Sequence, residues 1–189
     1  MKEMIARKKK AGSAIGYVFL FMTVMILVVL TLYLASVAKL MTHQHHVDDS
    51  LADSVLASLV ADDIYYFETY EATGKPVVRF RDIDESHRIF VDCMNDAIAS
   101  TSGFYYNFGY DTFTCYEVEG NNIKITEWSG NAGNKRVSSG VVGNVYAPTG
   151  ERVVETSAYA RVRFDIKSMI DGSFITKTKD IYCTLEINN

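Results

Sequence analysis

Between Lys10 and Lys39 the chain carries no charged side chain for 28 residues, and no other feature constrains its folding as much. At a rise of about 1.5 Å per residue, a helix of this length covers the ~30 Å hydrocarbon core of a bilayer with residues to spare. A cleavable secretory signal has an apolar region of only about 7 to 15 residues. "ASVAK" at Ala35 to Lys39 does offer small residues of the kind a signal peptidase accepts, so a removed signal stands as the alternative to a spanning helix. Lys2, Arg7, Lys8, Lys9 and Lys10 precede the block against Glu3 alone, while Asp48, Asp49 and Asp53 follow beyond Lys39. Cationic flanks stay in the cytoplasm. The expectation is a single-pass membrane protein with its N-terminus cytoplasmic and everything from about Leu40 extracytoplasmic, so one partner is membrane lipid. Subtracting the leader from the formal net charge of −4 leaves the outer part clearly acidic. It has no electrostatic footprint for nucleic acid or anionic lipid.

From Tyr17 through Thr73 there is neither Gly nor Pro, the residues that most readily break a helix. Beyond Leu40 the apolar pattern turns periodic. Val47, Leu51, Val55 and Leu59 recur every four residues, Ala52, Leu56, Val60 and Ile64 widen the stripe, and Asp48, Ser50, Ser54, Ser58 and Asp62 lie opposite. The pattern predicts one helix from near Ser13 to near Glu68, its first half in lipid. Its second half packs on a globular domain through Val47, Leu51, Val55 and Leu59.

After that helix "TGKP" at Thr73 to Pro76 reads as a turn and "VVRFR" at Val77 to Arg81 as a short strand. A second helix follows, with Asp82 or Asp84 as N-cap, an apolar face of Ile89, Phe90, Cys93, Ala97 and Ile98, and Gly103 as its stop. From Phe104 the texture is β. "EGNN" reads as a hairpin turn that sets Val118 across from Ile123 and Tyr116 across from Ile125. Ser129 to Glu151 reads as a long mobile loop with one short strand at Val141 to Tyr146. A two-residue turn at Asp171 and Gly172 would set Val162 opposite Ile181, Ala160 opposite Cys183 and Ala158 opposite Leu185. It would also pair Arg163 with Asp180 and Arg161 with Tyr182, leaving Lys177 and Lys179 near the tip. The fold class is therefore α+β: a long N-terminal helix, membrane-spanning then amphipathic, packed on a C-terminal antiparallel β-sheet with one additional short helix. The expected segments are a leader over 1–12, a span over 13–40, its continuation over 41–68 and an extracytoplasmic domain over 69–189.

The leader "RKKKAG" at Arg7 to Gly12, the "SA" start at Ser13 and Ala14, and the helix that follows resemble the type IV pilin superfamily, in particular the small pseudopilins of the tight-adherence type. The resemblance covers the first third of the chain by motif and the rest by order of elements. It implies cleavage of the Gly12 to Ser13 bond by a prepilin-type peptidase, and packing of the exposed helix with other pilin-like subunits or assembly proteins of a pilus or secretion apparatus. One position departs from the family, whose members commonly carry Glu at the fifth mature position, where this chain has Tyr17. The second reading is a plain single-span anchor that tethers a ligand-binding or sensory module. The lack of a flexible polar linker between the apolar block and the periodic stripe favours the first.

Catalytic readings are thin. "THQHH" at Thr42 to His46 brings His43 and His46 to one helical face with Asp49 a turn further on, a spacing a divalent metal can use. Without a second ligand cluster these read as interfacial polar residues. "TFTCY" at Thr112 to Tyr116 shares Thr114 and Cys115 with the Thr-Leu-x-Thr-Cys motif of sortases. A nucleophilic Cys needs a basic partner to hold it as thiolate, and His87 falls on the second helix as a solvated residue. No Ser-His-Asp order, paired-carboxylate pattern, GxGxxG or P-loop is present. The expectation is no enzyme, no catalytic or metal-binding residue and no cofactor. Cys93, Cys115 and Cys183 are odd in number; a Cys115 to Cys183 bridge and three reduced thiols both remain open. The aromatic run from Phe104 to Tyr116 reads as sheet core with an exposed fringe.

Overall fold

Helix α1 (Lys2–Ser58) contains both the apolar block and the first part of the periodic stripe, as the absence of Gly and Pro beyond Gly16 leads one to expect. The computed structural model describes residues 2–101, 103–168 and 172–185, with side chains from residue 14 onwards. The chain divides into two compact units, Met1–His45 and His46–Asn189, and α1 begins in the first and ends in the second.

The expected single helix to Glu68 stops ten residues early. After Ser58 the backbone tightens, with Leu59 N–H donating to Leu56 C=O at 3.1 Å and Val60 N–H to Ser58 C=O at 2.9 Å. It then pairs with the segment expected to be a strand: Asp62 N–H donates to Arg79 C=O at 3.0 Å and Arg81 N–H to Val60 C=O at 2.9 Å, around an Ala61–Phe80 bridge. These bonds satisfy the groups an ending helix leaves open, so no helix breaker is needed. "VVRFR" forms only this bridge and no longer strand. Asp62 caps helix α2 (Asp63–Thr73) by accepting from Tyr65 N–H, and Gly74 closes it in the left-handed conformation at φ +69°. Arg79 clasps the same carboxylate at 2.8 Å and lies over the Tyr65 ring at 3.5 Å from its centroid. Helix α3 (Ile83–Ala99) starts on Asp82, whose carboxylate accepts from Asp84 and Glu85 N–H, one of the two expected caps.

Five antiparallel strands follow: β1 (Tyr105–Glu119), β2 (Asn122–Ser129), β3 (Asn134–Val141), β4 (Ser157–Lys167) and β5 (Phe174–Thr184), ordered β3-β2-β1-β4-β5. The β1–β2 hairpin has the expected register, Val118 opposite Ile123 and Tyr116 opposite Ile125. The β4–β5 hairpin does not. Ala158 pairs with Cys183, Ala160 with Ile181, Val162 with Lys179 and Arg161 with Asp180, a slip of two residues from the expected pairing. Ser168 N–H to Ser173 C=O closes the connection at 2.8 Å, so the turn is longer than two residues; Asp171 lies outside the described residues. A slip of two keeps every side chain on its face, and the cross-strand charge pair survives with Arg161 in place of Arg163, at 2.7 Å from Asp180.

Both faces of the sheet are covered at its centre, while β3 is exposed along most of its length. On one, Phe90 of α3 stacks on Phe113 at 4.6 Å and His87 on Trp128 at 4.7 Å. Ala158, Ala160, Val162, Phe164 and Ile166 are buried on this same face. On the other, Tyr116, Ile123 and Tyr159 pack with Ala147 and Val153. The segment expected to be a mobile loop is therefore a structural cover: its strand is β3, earlier than expected, and the residues after it fold over the sheet. Gly140 makes this possible, since a Cβ there would stand 2.3 Å from Val145 Cγ2.

Candidate functional site

The charge-free block of α1 is the feature with the plainest physical consequence. Large side chains from Ile15 to Leu34 are exposed all around the helix, which water penalises and lipid does not. Its aliphatic hydroxyls at Thr23, Thr31 and Ser36 turn back on the helix, donating to the C=O of Phe19, Leu27 and Leu32 at 2.8 to 2.9 Å, so these three seek no partner in hydrocarbon. α1 is thus a candidate single membrane span. Gly12 and Ser13 fall within α1, their side chains outside those described, and Tyr17 is among the exposed residues.

The packing face is largely where the sequence places it. Val47, Leu51 and Val55 are buried, each contributing about 1.5–3 kcal/mol. Leu59 lies past the helix end and is only half-buried. The face is turned toward Ser54 and Ser58, which are buried although expected on the solvated side, while Leu56 and Ile64 are exposed. Residues 47, 51, 54, 55 and 58 form one stripe at 3.6 residues per turn; a strict four-residue spacing drifts off it. Ser58 is tolerated because its hydroxyl donates to Val55 C=O at 2.6 Å. Asp48, beside the stripe, binds Lys179 of β5 at 2.7 Å, which gives that near-tip lysine its partner. Leu56 and Leu59 share a groove with Tyr182, Cys183 and Leu185.

Cys115 and Cys183 do not form the bridge considered for them. Both stand opposite Ala158, one from β1 and one from β5, so a whole strand separates them. Two inter-strand spacings amount to roughly 10 Å, beyond the Cα separation a disulfide spans. All three cysteines are free. Burial pushes the Cys115 thiol well above its ordinary range, the reverse of what a nucleophilic thiolate requires. His87 is not a solvated residue either. Its ring lies parallel to Trp128, within 1°, and burial holds its pKa below the ordinary value. His46 Nδ1 meets Ser50 Oγ at 3.4 Å, and among the described residues no group of three His, Cys, Asp or Glu side chains converges as metal ligands do.

A cleft of about 340 Å³ opens beside Tyr65, Arg79, Arg81, Glu117 and Lys124. Its cations are matched within the domain: Arg79 to Asp62 at 2.8 Å, Lys124 to Glu117 at 2.9 Å and Arg81 to Asp63 at 3.7 Å. Sequence reasoning missed this network, which depends on a helix break that leaves no composition signal, and it missed the His87–Trp128–Phe113–Phe90 stack. Only Asp62 ahead of "DIYYFETYEATG" signalled a helix start there. In comparison with known proteins, no family model, no curated protein and no solved structure matches the chain.

Proposed function

We propose that the protein is a membrane-anchored, pilin-like structural or assembly component of a pilus or secretion apparatus, with its N-terminus cytoplasmic and its α+β domain outside. It acts by helix packing and subunit contacts with other pilin-like subunits or assembly proteins, after a prepilin-type peptidase cuts between Gly12 and Ser13. One observation carries the reading. A single helix, α1, holds both the lipid-compatible block and the buried Val47, Leu51 and Val55 stripe, with neither Gly, Pro nor loop from Tyr17 to Ser58. A tether that only holds a domain near a membrane has no need of helical sequence across that junction. The basic leader supports the orientation, and Tyr17 at the fifth mature position makes this an atypical member. Mass spectrometry of the membrane-extracted protein tests it: a mature N-terminus at Ser13 is expected, and an intact leader overturns the pilin assignment. The cleft beside Arg79 favours a second reading, a tethered ligand-binding or sensory module. That reading gains if a small molecule raises the thermal midpoint of the full chain and Arg79→Ala abolishes the effect.

A further inference from the structure

The sheet overhangs the point where the chain enters the domain. Within the unit His46–Asn189, Asp48 of α1 touches Lys179 of β5, and further along Leu56 and Leu59 share a groove with Tyr182 to Leu185. Helix and strand therefore run the same way. Followed back from Lys179, β5 continues five residues to Phe174, about 17 Å at the rise of a strand. From Asp48 back to His46, where this unit begins, α1 has only two residues, about 3 Å at the rise of a helix. The end of the β4–β5 hairpin thus projects roughly 14 Å past the entry residue.

Beside that end, among the described residues, large apolar side chains are exposed. Phe174 is 54 % exposed, Ile175 42 % and Tyr106 37 %, and the Phe174 and Tyr106 rings meet at 5.2 Å. Tyr106 is held there by the backbone: the β1–β4 register breaks after it, Asn107 takes φ +49°, and Asn107 Nδ2 donates to Asp165 Oδ2 at 2.7 Å. The other oxygen of Asp165 accepts from Thr176 Oγ1 at 2.6 Å, so the carboxylate of this patch is taken up internally. Lys167, the cross-strand partner of Phe174, is exposed, and Lys177 is half-buried. Aromatic rings with lysines beside an apolar edge are what membrane–water boundaries select. The boundary is close by chain length alone, because Lys39, which ends the apolar block, precedes His46 by seven residues, about 10 Å of helix.

Resting on the reading of α1 as a membrane span, we propose that the β4–β5 end seats Phe174, Ile175 and Tyr106 in the headgroup–acyl boundary of the bilayer that anchors the chain. Lys167 and Lys177 meet lipid phosphates there. The domain then has a second attachment to the membrane, at the hairpin end, besides the helix.

The test uses the full chain in nanodiscs of phosphatidylcholine with brominated acyl chains, in a Trp128→Phe background, carrying Phe174→Trp, Tyr33→Trp or, on the far edge strand, Val137→Trp. The expected result is loss of most of the emission for Phe174→Trp and Tyr33→Trp, a blue-shifted Phe174→Trp spectrum, and an unquenched, solvent-like Val137→Trp. If Tyr33→Trp is quenched and Phe174→Trp is not, the hairpin proposal fails while the membrane span stands. It fails in that case whether the Phe174→Trp spectrum is red, as in water, or blue, as against a second copy of the chain. If neither is quenched, both readings fail. Should the Trp128→Phe background not fold, the wild-type chain answers through the Ile175 methyl resonance, which spin-labelled lipid must broaden; a sharp signal overturns the proposal.

Discussion

Two leucines five positions apart on α1 separate the observed packing face from the widened stripe expected from the sequence, which counted both. Leu51 is 1 % exposed and Leu56 is 55 % exposed. At 100° per residue they point about 140° apart around the helix. Leu51→Ala removes a buried side chain and leaves a cavity, a change that costs 2–5 kcal/mol, so about 3 kcal/mol is expected. Leu56→Ala loses less than half of a full burial term of about 1.5–3 kcal/mol and leaves no enclosed cavity, so it costs about 1 kcal/mol or less. Both substitutions are close to neutral in helix propensity, so the difference reports packing. The single tryptophan of the chain, Trp128, is buried in the domain and gives the signal: urea titration of the full chain in mild detergent, followed by its emission. With a slope near ~2 kcal/mol per M, Leu51→Ala lowers the midpoint by about 1.5 M and Leu56→Ala by no more than about 0.5 M. Equal shifts would refute the claim that the end of α1 is a wall of the domain, and a larger shift for Leu56→Ala would turn the buried face toward the flank of Ala52 and Leu56.

The same tryptophan reports on His87. Because burial depresses the folded pKa of this imidazole, the unfolded chain takes up its proton first, so stability is full above about pH 6.5 and falls as pH drops toward the lowered folded value. Trp128 emission should titrate with a midpoint below 6.5, and His87→Ala should abolish the step. Thr126 Oγ1 is buried without a hydrogen-bond partner, at a desolvation cost of about 1–3 kcal/mol; the isosteric Thr126→Val should raise the urea midpoint, and a lower midpoint would mean that the hydroxyl is satisfied in solution. Alkylation of the denatured, unreduced protein should add three labels by intact mass, since Cys115 and Cys183 flank Ala158 from opposite sides; a single label would show that two thiols had bridged.

What could be read in the residues was whatever is decided locally. Asp82 caps α3 through its own side chain, and "EGNN" sets the β1–β2 register across a short turn. The β4–β5 hairpin shows the limit. Alternation of apolar and polar residues fixes the face of a strand but is blind to a slip of two, and there the turn from Ser168 to Ser173 decides. The break after Ser58 was illegible because its cause is tertiary: residues 60 to 62 pair with residues 79 to 81, and nothing near Ser58 announces it. β3 was missed because "NKRVSSGV" is poor in strand formers and owes its form to pairing along the whole of β2. For the candidate site, Val47, Leu51 and Val55 were legible by period, whereas the burial of Ser54 and Ser58 required knowing how the helix is turned.

The pairing of Asp48 with Lys179 joins positions 131 residues apart, so the earlier of the two waits for the later during synthesis. At about 5–20 residues per second that delay is roughly 7 to 26 s, during which the candidate span is already made and Asp48 has no Lys179 to pair with. A chain cut short before β5 therefore lacks the partner of Asp48 and the Tyr182, Cys183 and Leu185 side of the groove beside Leu56 and Leu59.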